Sequence, residues 1–208
     1  MTSVLLILAL AMVTIAVALG PAHQNEERSI KPPYLIWIEG HSIEIMFSTP
    51  ALIAAFRGRR YLKSIMLGKL SPFTMIGVGV AVGCTCVLFS STIRAFSNPP
   101  TFHIHGFFAA LGVSPLTAYL LGPFGEEMLY QVGLQTWLQR FGPIVAVVGA
   151  TAPFWGIHLY GGFVPIQVAL TYILPGILAY AIMRQTTQSF GAAVLAHSTY
   201  NVLVSCLY

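Results

Sequence analysis

Long apolar runs joined by short polar connections occupy most of this 208-residue chain. That pattern decides the fold class before any motif is considered. A helix crossing a bilayer needs roughly 20 mostly apolar residues, and the runs here are of that order. Only 8% of the residues are charged, where a soluble domain typically carries about 25%. So few charges do not cover a water-facing surface. The expected fold is all-α: a polytopic transmembrane helical bundle of about seven helices, within a range of six to eight.

The expected spans are 4–19, 34–56, 72–93, 114–138, 143–159, 163–183 and 190–207. The first resembles a signal peptide in length, but Met1-Thr2-Ser3 carries no positive charge, so it reads as a retained helix. The second is weakened by Glu39, His41, Glu44 and Pro50. Residues 103–112 suggest a short interfacial piece. Gly161-Gly162 reads as a turn, and Pro175-Gly176 reads as an interruption of the sixth span. Residues 1–113 form an N-terminal set of membrane helices and loops, and 114–208 form the half that carries chemistry. Cys84, Cys86 and Cys206 lie in apolar runs and lack metal-knuckle spacing, so they read as small lipid- or core-facing residues.

The formal net charge of +4 speaks to orientation in a membrane and not to nucleic acid. Cytoplasmic loops collect Lys and Arg. Seven spans with the N-terminus inside place Arg57, Arg59, Arg60, Lys63, Lys69, Arg140 and Arg184 on one side, against Arg28, Lys31 and Arg94 on the other. The expected location is therefore the cell membrane, multi-pass, with a cytoplasmic N-terminus.

After Glu44 the only acidic residues are Glu126 and Glu127, near the middle of a span. A charged side chain there costs about 2.5–3.5 kcal/mol on insertion scales, so a functional role is the default. The bland alternative is a bond to a polar group on another helix. Adjacent residues on an α-helix point about 100° apart, so the two carboxylates have different surroundings. Gln131, four residues after Glu127, shares its face and is placed to hydrogen-bond it along the helix.

His158 follows Phe154 by four residues, and Asn201 follows His197 by four. Each pair shares a helix face. An imidazole and a carboxamide one turn apart can both donate to one small oxygen, as oxyanion stabilisation requires. They can equally act as polar glue between helices. Two glutamates, two histidines and an asparagine on three spans outweigh any one of them alone.

Glu126-Glu127-Met128-Leu129-Tyr130-Gln131, then Phe154-x-x-x-His158, then His197-x-x-x-Asn201, resembles the three-motif pattern of the CPBP (Abi) family. That family includes the type II CAAX prenyl endopeptidases. The resemblance runs from about residue 114 to 207. The family carries an arginine where this chain has Gln131, and glutamine orients a carboxylate without supplying charge. Arg140 lies fourteen residues from Glu126, about 21 Å along a helix, too far to substitute.

The resemblance implies an intramembrane endopeptidase acting on a membrane-associated or lipidated protein or peptide. Glu126 would be the general base that activates water, His158 would help hold that water, and His197 with Asn201 would stabilise the oxyanion. Glu127 and Gln131 would fix the geometry, with Phe154 in support. This chemistry needs no cofactor; the alternative is zinc on Glu126, His158 and His197, although no HExxH spacing is present. The expected partners are membrane lipid and a protein or peptide substrate, with no nucleic acid. Two other readings stay open: a non-catalytic scaffold or bacteriocin-immunity protein with this fold, which Gln131 favours, and a proton-coupled transporter, since buried Glu and His also relay protons.

Overall fold

The computed structural model describes residues 59–97, 119–120, 122–159 and 164–207. Among these residues every regular element is helical. The expected spans 4–19 and 34–56, the interfacial piece at 103–112 and the Gly161-Gly162 turn lie outside the described residues. Helix α1 is Arg59–Leu67 and α2 is Pro72–Ser97, four residues longer than the span 72–93 expected from hydropathy. Helix α3 covers 122–138 in three pieces: an α turn Gly122–Glu127, a π-helical stretch Met128–Gln135 and an α turn Thr136–Leu138. Helix α4 is Pro143–Leu159, α5 is Ile166–Thr187 and α6 is Phe190–Leu207.

Three of these helices are long and apolar enough to cross a membrane: Pro72–Phe96 within α2, Ile166–Thr187 and Phe190–Leu207; Pro143–Leu159 is a shorter apolar helix. Phe73, Leu88, Phe96 and Ile144 point outward and are largely exposed. Large apolar side chains presented in this way suit a hydrocarbon surround.

The Pro175-Gly176 pair does not interrupt α5. The helix runs continuously through it, preceded by a π-helical turn Ala169–Ile173. Proline has no N–H to donate and its ring crowds the preceding turn. The wide turn absorbs this: the Leu174 N–H reaches back to the Ala169 carbonyl, five residues away. That carbonyl also accepts from the Trp155 indole at 3.1 Å, tying α4 to α5.

Helix α6 packs most intimately against α2. A Cβ built on Gly79 would lie 2.7 Å from Leu195 Cβ and 2.8 Å from the Ala192 carbonyl; on Gly83 it would lie 2.6 Å from the Ala196 carbonyl. Gly79-x-x-x-Gly83 therefore faces Ala192-x-x-x-Ala196, both alanines fully buried. Lipid is as apolar as a protein core, so such helices are held by close packing and not by hydrophobic exclusion. The same contact explains why the apolar side of α2 carries glycines where bulk would otherwise be expected.

One end of the bundle is polar. Ser189 caps α6, its Oγ accepting from Ala192 N at 3.1 Å and donating to the Met66 carbonyl at 2.7 Å. Lys69 Nζ donates to the Thr186 carbonyl at 3.4 Å, and Gln139 Nε2 donates to Gln185 Oε1 at 3.3 Å. Lys63, Lys69, Arg140 and Arg184 all belong to this end. They are four of the basic residues that charge counting assigns to a single side. Arg140 stacks over the Trp137 ring at 4.1 Å and the Phe141 ring at 4.6 Å, an arrangement suited to a membrane–water boundary. The three cysteines are free: Cys86 is buried, Cys84 half-buried and Cys206 exposed.

Candidate active site

The two glutamates stand where α3 changes from α to π geometry: Glu127 ends the α turn and Met128 begins the wide stretch. Wide turns of this kind are rare and occur often at functional positions. Glu127 is fully buried, whereas the Glu126 side chain keeps 27% of its exposure. The two carboxylates thus have different surroundings, one sealed into the bundle and one open.

His197 of α6 spans both. Its Nδ1 is hydrogen-bonded to Glu127 Oε1 at 2.9 Å, and its Nε2 lies 3.7 Å from Glu126 Oε2. His197 is seven residues beyond Phe190, so the site lies roughly 10 Å in from the polar end at 1.5 Å per residue.

Phe154 of α4 is fully buried and forms the floor. Its ring stacks on Tyr130 of α3, with centroids 4.4 Å apart and planes at 6°. It also contacts His158 at 5.5 Å and His197 at 6.0 Å. Estimated from span ends alone, His158 and His197 fall at different depths. The aromatic contacts bring their surroundings together, because Phe154 sits one turn before His158 and reaches across to His197. The His158 Nδ1 donates to the Phe154 carbonyl at 2.8 Å. A carbonyl only accepts, so Nδ1 carries the proton and a neutral ring presents Nε2 as an acceptor.

Gln131 departs from its expected place. It is buried, but neither its Oε1 nor its Nε2 has a hydrogen-bond partner among the described residues, and Glu127 Oε2 is likewise without one. The expected bond from Gln131 to Glu127 is not formed. The cause is backbone geometry: an i, i+4 side-chain pair assumes an α-helix, and from Met128 onward the turns are wider. The Thr136 hydroxyl, for instance, reaches the carbonyl of Gln131, five residues back, at 3.3 Å. Asn201 lies one turn after His197 on α6 and is half-buried; its own carbonyl accepts from Ser205 Oγ at 2.7 Å.

Among the described residues no three His, Cys, Asp or Glu side chains are arranged to hold a metal ion. Two rings at the site escaped the sequence reading. Tyr130 stands inside the quoted glutamate motif, and Tyr180 of α5 stacks on His197 with centroids 5.2 Å apart and planes at 23°. A tyrosine in an apolar run carries no mark that separates a site wall from ordinary packing.

No curated protein and no solved structure matches the chain. A protein-family model does: type II CAAX prenyl endopeptidase Rce1-like, over residues 108–203. The matched stretch is slightly less than half of the chain and includes Glu126, Glu127, Phe154, His158, His197 and Asn201. That match, carried by the helices that build the site, relates the chain to the CPBP family of CAAX-type intramembrane proteases.

Proposed function

We propose that this protein is an intramembrane endopeptidase that hydrolyses a peptide bond of a membrane-associated or lipidated protein, with Glu126 activating the water. The observation that carries this reading is the unequal pair of carboxylates on one imidazole. Glu127 is sealed and bonded to His197, while Glu126 is accessible and faces the other ring nitrogen without a direct bond.

In this reading a water lies beside Glu126 and is held by His158, whose Nε2 accepts one of its hydrogens. Glu126 takes a proton as the water oxygen attacks the substrate carbonyl. His197, with the proton on Nε2, and Asn201 donate to the resulting oxyanion. The C–N bond then breaks, and Glu126 returns its proton to the leaving amine. Glu127 anchors His197 by one ring nitrogen. No metal enters these steps. A prenylated C-terminal peptide is the first substrate class to test, by likeness to the matched family.

A second reading has one observation in its favour. Gln131 stands where the family has arginine, and its amide bonds neither glutamate. A non-catalytic scaffold or immunity protein would tolerate that loss.

The test is cleavage by the full-length protein in detergent. Prenylated and unmodified membrane peptides are compared with wild type, Glu126→Ala and His197→Ala, each with and without a strong chelator. Cleavage lost in both variants and kept with chelator supports the glutamate mechanism. Cleavage lost with chelator and restored by zinc makes the protein a metallopeptidase. No cleavage by folded wild type across the panel favours the scaffold.

A further inference from the structure

Three helices converge on the His197 imidazole: α3 through Glu127, α4 through Phe154 and α5 through Tyr180. The first is a hydrogen bond to one nitrogen. A bond at one atom leaves an imidazole free to tilt about that contact, and tilting moves the opposite nitrogen, the one that faces Glu126. What fixes the plane is a ring lying nearly parallel to it. Tyr180 meets that need better than Phe154: its planes make 23° with His197, against 51° for Phe154.

Tyr180 is itself held. It is almost completely buried, and on α5 it points toward the N-terminal end, as helical aromatic side chains do. There it lies over Gly176, one turn earlier. A Cβ on Gly176 would meet Tyr180 Oη at 3.0 Å and Cζ at 3.3 Å, so the missing side chain is the space that the tyrosine ring occupies. With the hydroxyl bonded to nothing among the described residues, it is the ring that meets the imidazole.

We propose that Tyr180 is a positioning residue for His197: its ring, seated over Gly176, sets the imidazole plane in which one nitrogen meets Glu127 and the other faces Glu126. This rests on the peptidase reading only for its kinetic consequence; the geometric claim stands apart from it. The Pro175-Gly176 pair thereby acquires a role, since the glycine admits the ring and the preceding wide turn absorbs the proline.

The test uses the full-length protein with isotope-labelled histidine, in detergent. The His197 ring signals are assigned by their loss in His197→Ala. In wild type the His197 ring-nitrogen shifts report its bond to Glu127, and a neighbouring ring current barely moves them. Tyr180→Phe keeps those shifts, Tyr180→Leu moves them strongly and Gly176→Ala moves them part of the way, while thermal melting confirms that each variant is folded. In cleavage assays Tyr180→Leu lowers kcat by roughly tenfold or more, as misplacement of a catalytic group does, with little change in KM, and Tyr180→Phe restores it. The proposal is overturned if Tyr180→Leu leaves the His197 signals and kcat unchanged. It is also overturned if Tyr180→Phe is as defective as Tyr180→Leu, since the hydroxyl would then be the active element. If folded wild type cleaves nothing, the peptidase reading fails while the spectra still decide the clamp.

Discussion

Glu127 and His197 stand seventy residues apart in the chain, and their side chains meet at 2.9 Å where Glu127 has no exposure at all. That bond joins α3 to α6 and orients the imidazole toward the second carboxylate. A buried, bonded pair of this kind has asymmetric energetics. Removing one partner strands the other, which costs more than the bond itself contributes.

Glu127→Ala is therefore expected to destabilise the protein far more than Glu126→Ala. The stranded imidazole and lost bond amount to about 1–3 kcal/mol, readable as a fall in melting temperature in detergent. Glu126 keeps part of its exposure, so its loss should lower the melting temperature by less than the loss of Glu127. Equal losses in the two variants would contradict the assignment of different roles.

The α2–α6 contact yields a paired prediction. Gly83→Ala places a Cβ 2.6 Å from the Ala196 carbonyl, whereas a Cβ on Gly77 meets nothing within 4 Å. Gly83→Ala should cost about 1–3 kcal/mol through overpacking, and Gly77→Ala should cost nothing or stabilise slightly, since alanine is the better helix former. Melting curves of the two variants check this directly. Because His197 is next to Ala196, Gly83→Ala should also reduce cleavage.

Two buried glutamines on α3 should respond differently to loss of their amides. Gln135 Nε2 donates to the Ala181 carbonyl at 2.8 Å and to Gln185 Oε1 at 3.2 Å. Gln131 has no partner among the described residues. Gln135→Met should cost about 1–3 kcal/mol, and Gln131→Met should cost clearly less, again by melting. A larger loss at Gln131 would show that its amide is bonded after all.

Much of the candidate site was legible because it is written in rare residues. In an apolar chain Glu126, Glu127, His158, His197 and Asn201 stand out, and the expected spans 143–159 and 190–207 coincide with α4 and α6. What hydropathy does not encode is which apolar residues face one another. In lipid both faces of a helix are apolar, so the Gly79 and Gly83 contact and the Tyr180 wall leave no periodic signal. Nor does it encode backbone register. The wide turns at Met128–Gln135 and Ala169–Ile173 separate Gln131 from Glu127 and carry α5 through Pro175. The first expectation assumed 3.6 residues per turn, and the second took Pro and Gly as breakers where a wide turn accommodates them.

The central claim is that Glu126 is the base that activates water. The most direct measurement is cleavage of a prenylated membrane peptide by purified wild type and by Glu126→Gln, a change that keeps shape and removes the carboxylate, with chelator present throughout. The account predicts cleavage by wild type and a loss of about a hundredfold or more in Glu126→Gln, the scale of general-base catalysis, with melting unchanged. Cleavage that survives in Glu126→Gln, or that vanishes from wild type when chelator is added, would contradict it.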